Sequence, residues 1–287
     1  MEILLISGIS GSGKSVALNV VEDAGYYCVD NLPPSLLADL VNTLTKEGIP
    51  SAAIAIDSRS ANLLTSLPGS INTLRTEGHD VKVLFLTAST ESLVARFSET
   101  RRSHPLSHRL GLDKEPGDRL SLTECIQEER EILSGIQLVA HVIDTSDLSA
   151  NKLRAWVKDV IQIGHTPLTL MFESFAFKIG VPLDADFVFD VRMLPNPHYD
   201  PIMRPLTGRD LPVIEYLKEQ PMVDEMFADI QQFIAKWLPA FKRDNRSYLT
   251  VAIGCTGGQH RSVYMVEKLA AHFKAQEQVL VRHRRLS

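Results

Sequence analysis

The chain has 287 residues, 44% of them hydrophobic and 23% charged, with a formal net charge of −5 at pH 7. This composition excludes disordered and fibrous classes, and the negative charge excludes a surface adapted all over to nucleic acid or anionic lipid. The length predicts two domains of roughly 100–200 residues each. Cys28, Cys125 and Cys255 are odd in number and widely spaced, with no CxxC pair, so they suggest neither a disulfide framework nor a zinc site. No basic leader precedes the apolar EILLIS, and no apolar run reaches the ~18 residues needed to cross a bilayer. The expectation is a cytoplasmic protein with no membrane partner.

In chain order, ILLIS at 3–7 reads as a buried strand that runs into GISGSGKS at 8–15. Val16, Val20, Val21 and Ala24 follow at helical spacing up to Gly25. AAIAID at 52–57, VKVLFL at 81–86 and HVID at 141–144 are further strands, and Ser149 caps a helix, NKLRAWVKDVIQI, that finishes at Gly164. A second domain begins at 165 with strands TLMFESF at 169–175 and DFVFDVR at 186–192, then the Pro-rich LPNPHYDPIMRP. Helices at 213–220 and 223–241, a strand YLTVAIGC, a glycine turn, a helix from 261 and a strand VLVRHR complete it. Strands alternating with helical patterns predict an α/β fold: an N-terminal P-loop kinase-like parallel sheet over 1–164 and a second α/β domain over 165–287.

Gly8, Gly13, Lys14 and Ser15 satisfy GxxxxGK[ST], with a strand before and a helix after, the context in which this spacing cradles phosphate. Glycines at 8, 11 and 13 free the backbone so that successive N–H groups turn towards phosphate oxygens. Lys14 adds a point charge, the helix N-terminus adds its dipole, and Ser15 is a candidate ligand of nucleotide-bound Mg²⁺. Ile9, Ser10 and Ser12 complete this candidate site. Asp57, closing the apolar run AIAI, is the candidate acidic partner of the magnesium, the alternative being a helix cap. Arg59 after it reaches the rim. Asp30 and Asn31 read either as groups facing a ligand or as a plain turn. Arg96, Arg101 and Arg102 stand where small kinases carry an arginine-rich lid, or form a solvated helix end.

A second glycine loop runs from Gly254 to Ser262 between a strand and a helix. Thr256, Gly257, Gly258, His260 and Ser262 form a nest for an anion, with Arg261 able to fork onto a phosphate. Cys255 and Arg261 keep the CxxxxxR spacing of cysteine phosphatases, in which a thiolate attacks and an arginine clamps. Gly254 stands where those enzymes have histidine, so a pocket for a phosphorylated small molecule is the preferred reading. His198, in its Pro-bounded loop, can complete such a pocket or be structural. From His260 to Ser287 six Lys and Arg face two acids, which predicts a basic face of Lys268, Lys274, Arg282, His283, Arg284 and Arg285 able to track RNA, or a solvated end.

GISGSGKSVAL, GYYCVDNLP, FESFAFKIGVPLDADFVFDVRMLPNPHYDP, SYLTVAIGCTGGQHRSV and the final VRHR together resemble the RapZ family of P-loop nucleotide-binding proteins and RNase adapters, along nearly the whole chain. The resemblance implies an N-terminal domain that binds ATP or GTP with Mg²⁺, with contacts on Gly8–Ser15 and on Asp57, Ser58, Arg59 and Ser60, and no prosthetic group. It implies a C-terminal domain that recognises a small regulatory RNA, senses glucosamine-6-phosphate in enteric members, presents the RNA to an endoribonuclease and so adjusts amino-sugar synthesis. It also implies a homo-oligomer. The enteric proteins carry Asp where this chain has Thr87 and continue into a lysine-rich tail where this chain has Arg284-Arg285-Leu286-Ser287. The first difference implies at most weak hydrolysis of ATP or GTP, the second a weaker hold on RNA. The runner-up function is a small-molecule kinase or slow NTPase using Lys14, Ser15 and Asp57; the third is a cysteine phosphatase using Cys255.

Overall fold

The computed structural model describes residues 1–57, 67–108, 120–162, 168–243 and 248–286. The chain divides into two units, Met1–His165 and Thr166–Ser287.

The first unit holds one parallel sheet in the order β2 (Tyr27–Val29), β3 (Ser51–Ala55), β1 (Glu2–Gly8), β4 (Asp80–Thr87), β5 (His141–Asp144). The apolar run of β1 explains its central place. Ile3 and Leu5 enter one core cluster with Leu37, Val41, Ile71 and Leu133, while Leu4 and Ile6 enter another with Val20, Val21, Trp156 and Val157. A strand apolar on both faces has to be covered on both. Helices α1 (Lys14–Asp23) and α6 (Ala150–Gln162) supply one layer, and α2 (Leu37–Lys46), α3 (Leu67–Thr76), α4 (Thr90–Thr100) and α5 (Leu122–Gln137) contribute to the other. Local chemistry sets the starts: the Ser89 side chain caps α4, and Ser121 with Glu124 forms a capping box at α5.

Register then positions the site. Ile6 pairs with Ala55 on β3, and Gly8 pairs with Leu86 on β4. The chain therefore leaves β1 at the carboxyl edge of the sheet, between two neighbours, which is where open α/β sheets bind ligands.

The second unit also has a parallel sheet, in the order β7 (Phe187–Asp190), β8 (Tyr248–Cys255), β6 (Thr169–Ala176), β9 (Gln278–His283). Its core joins Leu170, Phe172, Val251 and Ile253 to Val213 and Leu217 of α7 (Leu211–Lys218), Ile230 and Ile234 of α8 (Pro221–Arg243), and Met265 and Leu269 of α9 (Arg261–Phe273). Alternation along β6 sends Leu170, Phe172 and Ser174 to the helical side and Glu173 to the other. Strand β7 is shorter than the expected 186–192 because Arg192 folds back: its N–H and guanidinium both bond the Asp190 carboxylate. No helix among the described residues is long and apolar enough to cross a membrane.

Candidate functional site

The first loop begins at Gly8, whose φ is 145°. A Cβ there would lie 2.2 Å from the backbone oxygen of Leu86, so only glycine lets the chain pass this close to β4. The Ile9 N–H donates to that same oxygen at 3.0 Å, and the Ser12 N–H donates to the Ile9 carbonyl at 3.0 Å. Helix α1 starts at Lys14 behind Gly13, with no side-chain cap, so the N–H groups of Gly13, Lys14 and Ser15 point out of the helix start and favour an anion. Lys14 Nζ donates to the Gly8 carbonyl at 2.6 Å, which draws the cation across the loop mouth.

Ser15 is exposed in the first turn of α1. Asp57 is buried two residues beyond Ala55, which sets it beside the start of the loop. A hydroxyl and a carboxylate are hard oxygen donors, and together with phosphate oxygens they suit Mg²⁺. Thr87 is engaged elsewhere, since its Oγ1 accepts from Arg130 at 3.2 Å and its carbonyl accepts the Thr145 N–H at 2.8 Å.

Three consecutive loop residues are fixed from outside. The Ser10 N–H and hydroxyl donate to the two oxygens of Glu129 on α5 at 2.7 and 2.8 Å. Arg96 on α4 donates to the Gly11 carbonyl at 3.1 Å and to Thr145 Oγ1 at 3.0 Å, and Thr145 Oγ1 reaches the Ser12 carbonyl at 3.0 Å. Arg96 is thus a brace of the loop rather than part of an open lid, and burial lowers its pKa. Arg101 and Arg102 are exposed just beyond α4. Asp30 and Asn31 are exposed, and Asn31 takes the left-handed conformation at φ 56°, which favours the turn reading. Ser58, Arg59 and Ser60 lie outside the described residues.

The second loop repeats the strand, glycine turn and helix start, with a different group at its centre. The Gly258 N–H donates to Cys255 Sγ at 3.2 Å, and Ser262 Oγ lies 3.1 Å from the same sulfur. Burial pushes the Cys255 thiol up, but hydrogen bonds from the Ser262 side chain and from the backbone at Ser262, Gly258 and Gln259 outweigh it and leave its pKa below the ordinary thiol value. Gly258 has φ 68°, and a Cβ on it would meet the Arg285 stem at 2.8 Å, so Arg285 passes directly over the turn. Arg261 is buried; its Nη1 donates to the carbonyls of Arg192 and Leu194 at 2.6 and 3.0 Å, while its Nε has no hydrogen-bond partner among the described residues. The exposed His198 sits in a 3-10 turn with its ring 6.1 Å from that of His260. His260 is buried against the Met203 carbonyl, and burial lowers its pKa. Thr256 is exposed at the loop tip, next to Gly257.

The expected basic face needs correction. Arg282, His283 and Arg284 are buried, because β9 pairs along β6 and sets Arg282 directly beside Glu173 and His283 beside Ser174. Arg284 Nη1 lies 3.2 Å from Glu173 and 3.7 Å from Asp184, and His283 bridges Ser174 and Glu267 at 2.7 and 3.0 Å. Burial first, then the nearby Asp184, raises the Glu173 pKa to about 8 against the opposing arginines. Lys268 is paired with Asp224, lies 4.6 Å over the Phe227 ring and lines a cavity of about 350 Å³. Lys274 and Arg285 remain exposed.

Sequence reasoning alone passes over Glu129, His104, Thr145, Glu173 and Asp184. Glu129 leaves a trace, since it falls at helical spacing between Cys125 and Leu133 on the otherwise apolar stripe of α5.

A GxxxxGKS loop at the end of a central parallel strand, opening a helix and flanked by a buried acid, defines a P-loop kinase-like fold joined to a second α/β unit. The chain belongs to the RapZ family: residues 1–164 match the RapZ-like N-terminal domain and residues 168–287 the RapZ C-terminal domain. A nucleotide-binding protein of Janthinobacterium sp. (strain Marseille) is 66% identical over 286 residues, and one of Herminiimonas arsenicoxydans is 64% identical over 286, each covering 100% of both chains. A solved shikimate kinase from Bacteroides thetaiotaomicron is a distant likeness, 12% identical with a TM-score of 0.36 over 56% of this chain and 98% of its own.

Proposed function

We propose that this chain is a nucleotide-binding regulatory protein that binds RNA and couples a bound ATP or GTP to a phosphosugar signal. The observation that carries the reading is the outward-pointing start of α1 behind Gly8, with Lys14 across the loop mouth and Asp57 beside it. Full-length relatives named as nucleotide-binding proteins support it. In this reading Gly13, Lys14 and Ser15 hold the outer phosphates, and Ser15 and Asp57 hold Mg²⁺, which neutralises phosphate charge when bound.

The second unit takes a phosphorylated sugar such as glucosamine-6-phosphate at residues 255–262, where the buried Arg261 Nε, without a hydrogen-bond partner among the described residues, supports an anionic ligand. His198 closes that pocket from the Pro-rich loop. Of the expected basic face, Lys274 and Arg285 stay exposed to a small regulatory RNA, which the protein presents to an endoribonuclease as a cytoplasmic homo-oligomer. Filter binding of structured small RNAs across a salt series, with and without nucleotide and glucosamine-6-phosphate, tests this. The expected result is a salt-dependent affinity that the small ligands shift; no affinity, or none that falls with salt, removes the RNA role. Slow NTP hydrolysis is the second reading, favoured by the place of Asp57, and phosphate release that persists unchanged in Lys14→Ala, and so does not come from this loop, removes it.

A further inference from the structure

Ser10 is the third residue of the phosphate loop, and both of its donors point away from the anion side. One carboxylate takes both: Glu129 Oε2 accepts the N–H at 2.7 Å and Oε1 the hydroxyl at 2.8 Å. Glu129 is 0% exposed in the middle of α5. Its Oε2 also faces His104 Nε2 at 3.1 Å, and His104 Nδ1 accepts the Leu106 N–H at 3.2 Å, so the ring is itself held. Next along the loop, Gly11 and Ser12 are tied through their carbonyls to Arg96 and Thr145. The outer limb, residues 10–12, is therefore anchored to α5, α4 and the turn after β5, and the limb that opens α1 keeps its N–H groups pointing out of the helix start.

A buried carboxylate is costly to desolvate, and behind a polyanion site its charge opposes the ligand. Its position there makes sense through geometry. We propose that Glu129 is a positioning residue for the nucleotide: by holding Ser10 it fixes the outer limb, so the N–H groups of Gly13, Lys14 and Ser15 converge before any phosphate arrives. Such preorganisation removes an ordering cost from binding. The inference rests on the nucleotide reading above.

Charge and geometry give effects of opposite sign, which makes the test direct. Titration of the full chain with fluorescent Mg·ATP is compared for Glu129→Gln, Ser10→Ala, their combination and Lys14→Ala. Glu129→Gln is expected to weaken binding about tenfold although it removes a negative charge, because a neutral amide replaces charge-assisted bonds by weaker ones and its NH2 group has to donate to the Ser10 hydroxyl, which reverses that bond. Ser10→Ala is expected to weaken it about threefold, and the double variant to match Glu129→Gln, since both act through one contact. Unchanged or tighter binding in Glu129→Gln, or losses that multiply, overturn the proposal. Amide exchange of residues 9–15 without nucleotide supplies a readout independent of ligand: it is expected to quicken in Glu129→Gln and in Ser10→Ala, and unchanged protection in the latter overturns the proposal even if Glu129→Gln folds poorly. A wild-type chain that binds no nucleotide, or a Lys14→Ala chain that binds equally well, removes the nucleotide reading and this role with it. Lost binding in Lys14→Ala beside unaltered Glu129→Gln removes the positioning role alone.

Discussion

The two glycine loops start from the same device, a parallel strand that turns through glycine into a helix N-terminus, but they hold different things at the centre. At Gly8–Ser15 the N–H groups of Gly13, Lys14 and Ser15 point outward, and the charged groups, Lys14 and Arg96, bond backbone carbonyls of the loop itself. At Cys255–Ser262 donors already converge on an internal anion former, the Cys255 sulfur. The first loop is built to receive a large polyanion from solvent. The second is partly self-satisfied, so an external phosphate there competes with the Cys255 sulfur for donors and depends more on Arg261.

The largest expected effect falls on that arginine. Arg261→Ala is expected to weaken glucosamine-6-phosphate binding about a hundredfold by calorimetry, and Arg261→Lys about tenfold, since lysine supplies charge without the fork that also ties the Arg192 and Leu194 carbonyls. A Lys variant equal to wild type would place the phosphate elsewhere.

Next comes the buried acid of β6. Glu173 has a folded pKa raised to about 8, above its unfolded value, so the folded state keeps the proton longer. Stability from this group is full below the unfolded pKa and is lost as pH rises towards and through about 8. The fall is up to about 1.4 kcal/mol per pH unit inside that window. Denaturant unfolding at pH 5.5 and 8.5 is expected to show this loss in wild type and a flatter profile in Glu173→Gln; parallel profiles would contradict it.

A smaller effect separates the two loops by pH. Because the Cys255 thiol is depressed, raising pH places a negative charge inside the second nest, and phosphosugar affinity is expected to fall about threefold as the thiol ionises. Cys255→Ser is expected to remove that trend, while nucleotide affinity at the first loop is unaffected by the same substitution. The smallest expected change concerns RNA. Lys274→Ala with Arg285→Ala is expected to lower the salt slope by about 2. Arg284→Ala is expected to act on stability, because Arg284 is buried against Glu173 and Asp184.

How much of this the sequence carried differs between the loops. The first loop, β5 at 141–144 and β8 at 248–255 were legible because local spacing and apolar runs determine them. Helices α2, α3 and α5 do not stand out in the sequence, since their apolar stripes gain meaning only against the second face of β1. The braces Glu129, Arg96 and Thr145 come from segments some 80 to 130 residues further along the chain, so their meeting with residues 10–12 is a product of tertiary structure. The basic C-terminal run misled for a related reason: a count of charges does not show that Arg282, His283 and Arg284 enter a core that already holds Glu173, Asp184 and Glu267.

The central claim is that a nucleoside triphosphate with Mg²⁺ occupies the Gly8–Ser15 loop. Calorimetric titration of ATP and GTP into wild type and Lys14→Ala, with Mg²⁺ and with chelator, tests it most directly. The expected result is saturable binding that weakens about a hundredfold in Lys14→Ala and falls when Mg²⁺ is removed. Equal affinity in the two proteins, or no saturable binding by wild type, would contradict it.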